Sequence, residues 1–173
     1  LKLDFRAVRI LPEILSIVAK GDNTVLTGAI KFLERRGYSI VGAHEIAADL
    51  VAEVGTLTER QPRAAEMDDV GTAIAAARSI GLIDAGQAAA VVKGRVVALE
   101  AAEGTDAMIA RVGDLRQRGR LKWSGRVGVL AKSSKPQQDL RVDMPTIGPQ
   151  TITGVDLAGL AGIAIEVGKV MII

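Results

Sequence analysis

The stretch Gln87-Ala-Ala-Ala-Val-Val92, Lys93-Gly94, Arg95-Val-Val-Ala-Leu-Glu-Ala101 sets the architecture. Two β-rich runs flank a Lys-Gly pair, the signature of a tight hairpin. Downstream, Thr105 to about Arg118 is amphipathic, with Met108, Ile109, Val112 and Leu115 on one side, so it reads as a helix. Val127 to Ala131 reads as a buried strand, and Lys132 to Gly148, with Pro136 and Pro145, as a long polar loop. Gln150 to Leu160 reads as a helix, and Ile163–Val167 with Lys169–Ile173 as a second hairpin about Gly168. Upstream of the first hairpin the pattern is helical. The helices expected there are about Met67 to Ile80, Ala43 to Glu53, and a segment capped by Asp22 or Asn23 that runs to Arg36 and stops at Gly37. Phe5, Val8, Ile10, Leu11, Leu15 and Val18 form a further helical segment, interrupted by Pro12 and ended by Gly21. Gly55 to Pro62 is a polar connection, and Tyr38 to Val41 reads as a short strand. The expected class is α/β, with a helical first half and a mixed β-sheet second half built on β-hairpins.

Composition narrows the function. At 173 residues, 49% hydrophobic and 24% charged, the chain has the balance of a globular protein with an ample core. The absence of cysteine excludes disulfides and thiolate metal sites. Four aromatics (Phe5, Phe32, Tyr38, Trp123) and a net charge of +2 argue against a nucleic-acid partner. Charge-free stretches such as Met144 to Val155 fall well short of a membrane span. The start at Leu1 and the apolar end Met171-Ile172-Ile173 read as a segment of a longer polypeptide.

Three segments carry candidate chemistry. In Lys132-Ser-Ser-Lys-Pro-Gln-Gln-Asp-Leu-Arg-Val-Asp-Met-Pro145, Asp139, Arg141 and Asp143 alternate and, if extended, face one way. Two carboxylates with an arginine between them can hold a divalent cation and a phosphate together. The plain alternative is a solvated charged loop. In Glu100-Ala-Ala-Glu-Gly-Thr-Asp106, Gly104 permits close approach to a helix start whose free N–H groups suit an anion. Thr105 and Asp106 can equally be caps, but Glu103 beside a phosphate implies a cation between them. From Arg111 to Lys135 there are eight basic residues and one acid, Asp114, which favours an anionic ligand. Arg116, Arg118 and Arg120 read as an exposed helix end, whereas Lys132 and Lys135 read as ligand-facing. His44, the single histidine, reads as structural, and Asp84 and Gln87 as a turn or a polar edge of the same site.

Asp84-Ala-Gly-Gln87, the Glu-Gly-Thr-Asp run ending at Asp106, and Lys135-Pro-Gln-Gln-Asp-Leu-Arg-Val-Asp-Met-Pro-Thr-Ile-Gly-Pro149 together resemble the LpxI-type UDP-2,3-diacylglucosamine pyrophosphatases of lipid A biosynthesis. The resemblance runs in order over nearly the whole chain. It implies a two-domain enzyme of the Gram-negative cytoplasm, peripheral at the inner-membrane surface. Residues 1–42 would close the N-terminal domain, and residues 43–173 would form the C-terminal α/β catalytic domain. The implied reaction is magnesium-dependent hydrolysis of UDP-2,3-diacylglucosamine to UMP and 2,3-diacylglucosamine 1-phosphate (lipid X), with water attacking the α-phosphorus. The family's essential aspartate carries over to Asp139 or Asp143. The resulting expectation is a catalytic group of Asp139, Asp143, Glu103 and Asp106. Asp139, Asp143 and Asp106 would hold the metal, and Gly104, Thr105, Lys132, Lys135 and Arg141 the phosphates. Gln87, Gln138 and Thr151 would bind substrate. The apolar run from Leu157 to Ile165 either lines an acyl groove or is core. A homo-oligomer is compatible with the sequence. The competing class is a nucleotide-sugar or phospholipid binding domain that cleaves nothing, against which the acidic set counts.

Overall fold

The computed structural model describes residues 22–173. The helical segment expected from Phe5 to Val18 lies outside them. Helix α1, Asp22–Glu34, ends in a turn closed by Gly37, whose φ of 85° is the left-handed conformation glycine tolerates. Tyr38 to Val41 is not a strand. Among the described residues no second strand lies alongside to form a ladder, and Tyr38 and Val41 stay exposed as a connector. The helix expected over Ala43 to Glu53 is shorter: α2, Ala43–Ile46, breaks at Ala47 and continues as a 3-10 turn, Ala48–Leu50.

Helix α3, Ala64–Leu82, begins where Glu66 accepts the Arg63 N–H at 2.8 Å. Its buried stripe, Ala73, Ala77 and Gly81, recurs every four residues and is small enough to lie close against a sheet. The sheet has the order β2-β1-β3-β5: β1, Ala88–Val92; β2, Arg95–Leu99; β3, Val129–Lys132; β5, Gly162–Ile165. The expected β1–β2 hairpin forms, with Lys93 and Gly94 both at positive φ. Asp69 of α3 binds its turn, accepting the Lys93 N–H at 3.0 Å and the Gly94 N–H at 2.6 Å.

β1 also pairs antiparallel with β3, and β3 pairs parallel with β5. Helices α4, Thr105–Gln117, and α5, Pro149–Ala158, cover the face opposite α3. β1 is therefore buried on both sides, and its run of alanines and valines fits between two helical layers. Ala158, Leu160 and Ile163 join the α4–α5 core, so most of the apolar run from Leu157 to Ile165 is packing rather than a groove. The second expected hairpin is absent. β6, Met171–Ile172, leaves β5 and pairs parallel with β4, Thr146–Ile147, in a separate two-stranded sheet. Folding back on β5 would have made an outer edge strand. The crossing instead buries Val170 completely and satisfies backbone groups of Ala52 and Pro145. The polar loop Lys132–Gly148 is correspondingly interrupted by β4.

Candidate functional site

Pairing directions put the carboxyl ends of β2, β3 and β5 at one edge of the sheet, together with the start of β1. In open α/β sheets this edge is where ligands bind. Hydrogen bonds sew it into a row. Gln87 N–H donates to Glu100 Oε2 at 3.1 Å, and Ser133 N–H donates to the Gln87 carbonyl at 2.9 Å. Ser133 Oγ donates to Glu166 Oε2 at 2.5 Å. Gly86 lets the strands close here, since a Cβ on it would stand 2.4 Å from the Glu100 carbonyl oxygen.

Strand alternation then separates two polar centres. Lys132 is in phase with Leu130 and lies on the α4–α5 side, where Glu100 follows Ala98 of the same core. The Lys132 ammonium is buried and donates to the Thr146 carbonyl at 2.9 Å. Burial pushes its pKa below the usual lysine range, while Glu100, Asp106 and Asp143 pull it back. Glu100 also accepts the Thr105 hydroxyl at 3.1 Å, which fixes the start of α4 after Gly104 (φ 80°). The buried Thr151 hydroxyl donates to Asp106 at 3.5 Å and brings the start of α5 to the same place. Two helix N-termini, whose first N–H groups lack intrahelical acceptors, thus meet one lysine and three carboxylates.

On the α3 side, Ser133 and Glu166 are in phase with Ala131 and Ala164. Glu166 accepts Arg78 Nη2 at 2.9 Å and Lys169 Nζ at 2.8 Å. Burial opposes its ionisation, but the bonds from Lys169, Ser133 and Arg78 prevail and hold its pKa at about 2. Lys135 lies on this side too, 2.6 Å from Asp84. A cavity of about 230 Å³ opens among Arg78, Lys135, Lys169, Ser134 and Gln138.

The expected site residues therefore divide. Asp106, Asp143, Lys132, Gly104, Thr105 and Thr151 belong to the α4–α5 centre, and Lys135 and Gln138 to the α3 centre. Asp139, Arg141 and Asp143 are not extended. Asp139 Oδ1 accepts the Arg141 N–H at 3.1 Å, and its carbonyl accepts the Val142 and Asp143 N–H groups, making a turn. Arg141 folds onto Asp139 at 2.7 Å and also pairs with Glu34. The Arg141 hydrogen bonds hold the Asp139 pKa below the usual carboxylate range. Glu103 pairs with Arg111 at 2.8 Å, and that arginine also binds the Leu99 carbonyl. The basic run from Arg111 is likewise dispersed: Arg118 pairs with Asp114 and Arg126 with Asp156. Gln87 Oε1 and Gln138 Nε2 are buried without a partner, leaving one acceptor and one donor at the edge. Among the described residues, no group of three or more histidines, aspartates or glutamates could hold a metal. Glu100, Arg78, Ser133, Glu166 and Lys169 were not foreseen as site residues. Glu100 lies inside a motif quoted above, whereas Arg78 and Glu166 meet only across 88 residues.

Residues 53–173 match the family described as the LpxI C-terminal domain. The chain belongs to this family. The UDP-2,3-diacylglucosamine pyrophosphatase LpxI of Caulobacter vibrioides is 42% identical over 170 residues, which cover 98% of this chain and 61% of that protein. The chain thus spans about three fifths of the length of that relative. The region matched to the LpxI C-terminal domain contains the whole four-stranded sheet and both polar centres. Glu34, which pairs with Arg141, lies outside it. No helix among the described residues is long and apolar enough to cross a membrane.

Proposed function

We propose that the protein hydrolyses the diphosphate of UDP-2,3-diacylglucosamine to UMP and lipid X. The reading is supported by membership of the LpxI C-terminal domain family and by the name of the 42% identical relative. The observation that carries it is the buried Lys132 ammonium, set among Glu100, Asp106 and Asp143 where α4 and α5 begin. Glu100 is committed to Gln87 and Thr105, which leaves Asp106 and Asp143 beside the ammonium, and a plain phosphate binder gains little from them. A hydrolase that must hold a divalent cation and orient water uses both.

Asp106 and Asp143 would hold magnesium, together with substrate oxygens and water. When bound, the ion neutralises charge on the diphosphate. Lys132 stabilises the charge that develops on the attacked phosphoryl group, and the Gly104–Thr105 helix start offers it N–H donors. A carboxylate of the centre, Asp143 in this reading, orients the water and takes its proton. The water oxygen bonds to the α-phosphorus, the bridging P–O bond breaks, and the sugar phosphate leaves as lipid X. Glu100 holds Thr105 and Gln87 in place. Asp139 with Arg141, and Glu103 with Arg111, support the surrounding loops. The substrate is a lipid, so the protein would work in the cytoplasm at the inner-membrane surface, with residues 43–173 as the catalytic half of a two-domain enzyme.

The test is release of UMP from UDP-2,3-diacylglucosamine, with magnesium and with a chelator, in oxygen-18 water. Magnesium-dependent release with the label in UMP is expected. Label in the lipid phosphate would reverse the direction of attack, and binding without release would favour a non-catalytic nucleotide-sugar or phospholipid domain.

A further inference from the structure

We infer that the α3 side of the sheet edge carries a second anion site, for a phosphoryl group, in the cavity among Arg78, Lys135 and Lys169. This deepens the proposed function and rests on it only for the source of the anion.

Three cations surround the cavity against one partly buried carboxylate, Glu166, and one half-exposed carboxylate, Asp84, beside Lys135. Glu166 is ionised throughout the physiological range, because its pKa is held at about 2. It takes one donor each from Arg78 and Lys169, so it orients both cations without exhausting them. An arginine has five N–H donors and an ammonium three. Ser134, Gln138, Pro136 and Leu140 also line it, and Gln138 Nε2 is a buried donor with no acceptor. The Gln138 Oε1 atom is already committed to the Lys135 N–H at 3.0 Å, which fixes which end of the amide is left over. The three cations keep donors beyond those given to Glu166 and Asp84, and Gln138 Nε2 has no acceptor, so an acceptor-only ligand such as a phosphoryl group suits the cavity. The volume of about 230 Å³ is several times the roughly 30 Å³ of a water molecule, so a phosphoryl group fits. Ser133 and Ser134 follow Lys132 directly, so this site and the Lys132 centre flank one strand end. The two phosphates of a single diphosphate, or a substrate phosphate and a free phosphate, could occupy them together.

Binding of inorganic phosphate and of UMP to the full chain, by titration calorimetry, tests this. The double variant Arg78→Gln, Lys169→Gln should bind phosphate more weakly by about tenfold or more for each cation lost. Both side chains are about half exposed, at 55% and 49%, but both pair with Glu166, so urea unfolding of the variant is measured beside its binding. Lys135→Gln should weaken phosphate as well, without disturbing Glu166. Phosphate affinity that is absent in the wild type, or unchanged in both variants, would overturn the inference. Kinetics separate the sources. A raised KM for UDP-2,3-diacylglucosamine in the double variant assigns the site to a substrate phosphate. Unchanged KM with relief of inhibition by inorganic phosphate assigns it to a free anion. Phosphate binding that the double variant loses, in a protein that releases no UMP, would leave this site standing and refute the proposed hydrolysis alone.

Discussion

The two sides of the sheet edge are near inverses. On the α4–α5 side a buried ammonium, Lys132, is set among carboxylates. On the α3 side a partly buried carboxylate, Glu166, is set among cations. Neighbouring residues at the end of β3, Lys132 and Ser133, feed the two sides, because successive side chains of a strand point to opposite faces. The net sign of each centre follows from the shell and not from the central group. The first has three carboxylates around one ammonium, and the second has three cations around two carboxylates.

The largest expected effect separates Asp143 from Asp139. Asp143→Asn should cut the rate of UMP release by about 100-fold or more, the scale of losing one charge-stabilising group. Asp139→Asn should cost less, because that carboxylate is already committed to Arg141. Equal losses would erase the distinction between a ligand-facing aspartate and a loop-fixing one.

Glu166→Gln probes the other side through stability. The folded pKa of about 2 lies below the ordinary 4.5, so ionised Glu166 stabilises the fold above pH 4.5. That contribution is lost as pH falls from 4.5 toward 2. Urea unfolding should show the variant less stable by about 2 to 3 kcal/mol near neutral pH, with the gap narrowing in acid. A gap independent of pH would mean that packing, not charge, supports this centre.

Gly86→Ala tests whether the two centres share one scaffold. A Cβ at 2.4 Å from the Glu100 carbonyl must push β1 from β2, at a cost of about 1 to 3 kcal/mol in thermal or urea unfolding. Lower activity on the Lys132 side should accompany it, since Glu100 holds the start of α4. The smallest effect is expected at Asp114→Ala. Its exposed pair with Arg118 lies outside both centres, and stability should change by no more than about 0.5 kcal/mol. A larger change would show that the basic run from Arg111 acts collectively.

The helices and the first hairpin were legible because they rest on local rules. Lys93-Gly94 specifies its turn, the apolar face of Thr105–Gln117 specifies a helix, and Gly37 specifies a stop. The resemblance to the LpxI family was legible for a similar reason, since its motifs are contiguous. Tyr38–Val41 and Lys169–Ile173 were misread because a strand is defined by its partner, and no local feature names that partner. The Asp139-Leu-Arg-Val-Asp143 segment was misread because its spacing fits an extended chain, while its chemistry permits an Asp side chain to close a turn.

The chain order of residues thus specified turns, helix faces and motif identity, all of which act over a few residues. Which charged groups share a centre was decided by the sheet. Its pairing brought Glu100 to Gln87, and it carried Glu166 across to Ser133 and Arg78. Charge interactions act through space at distances of a few ångströms, and only the folded chain brings residues so far apart in sequence within that range.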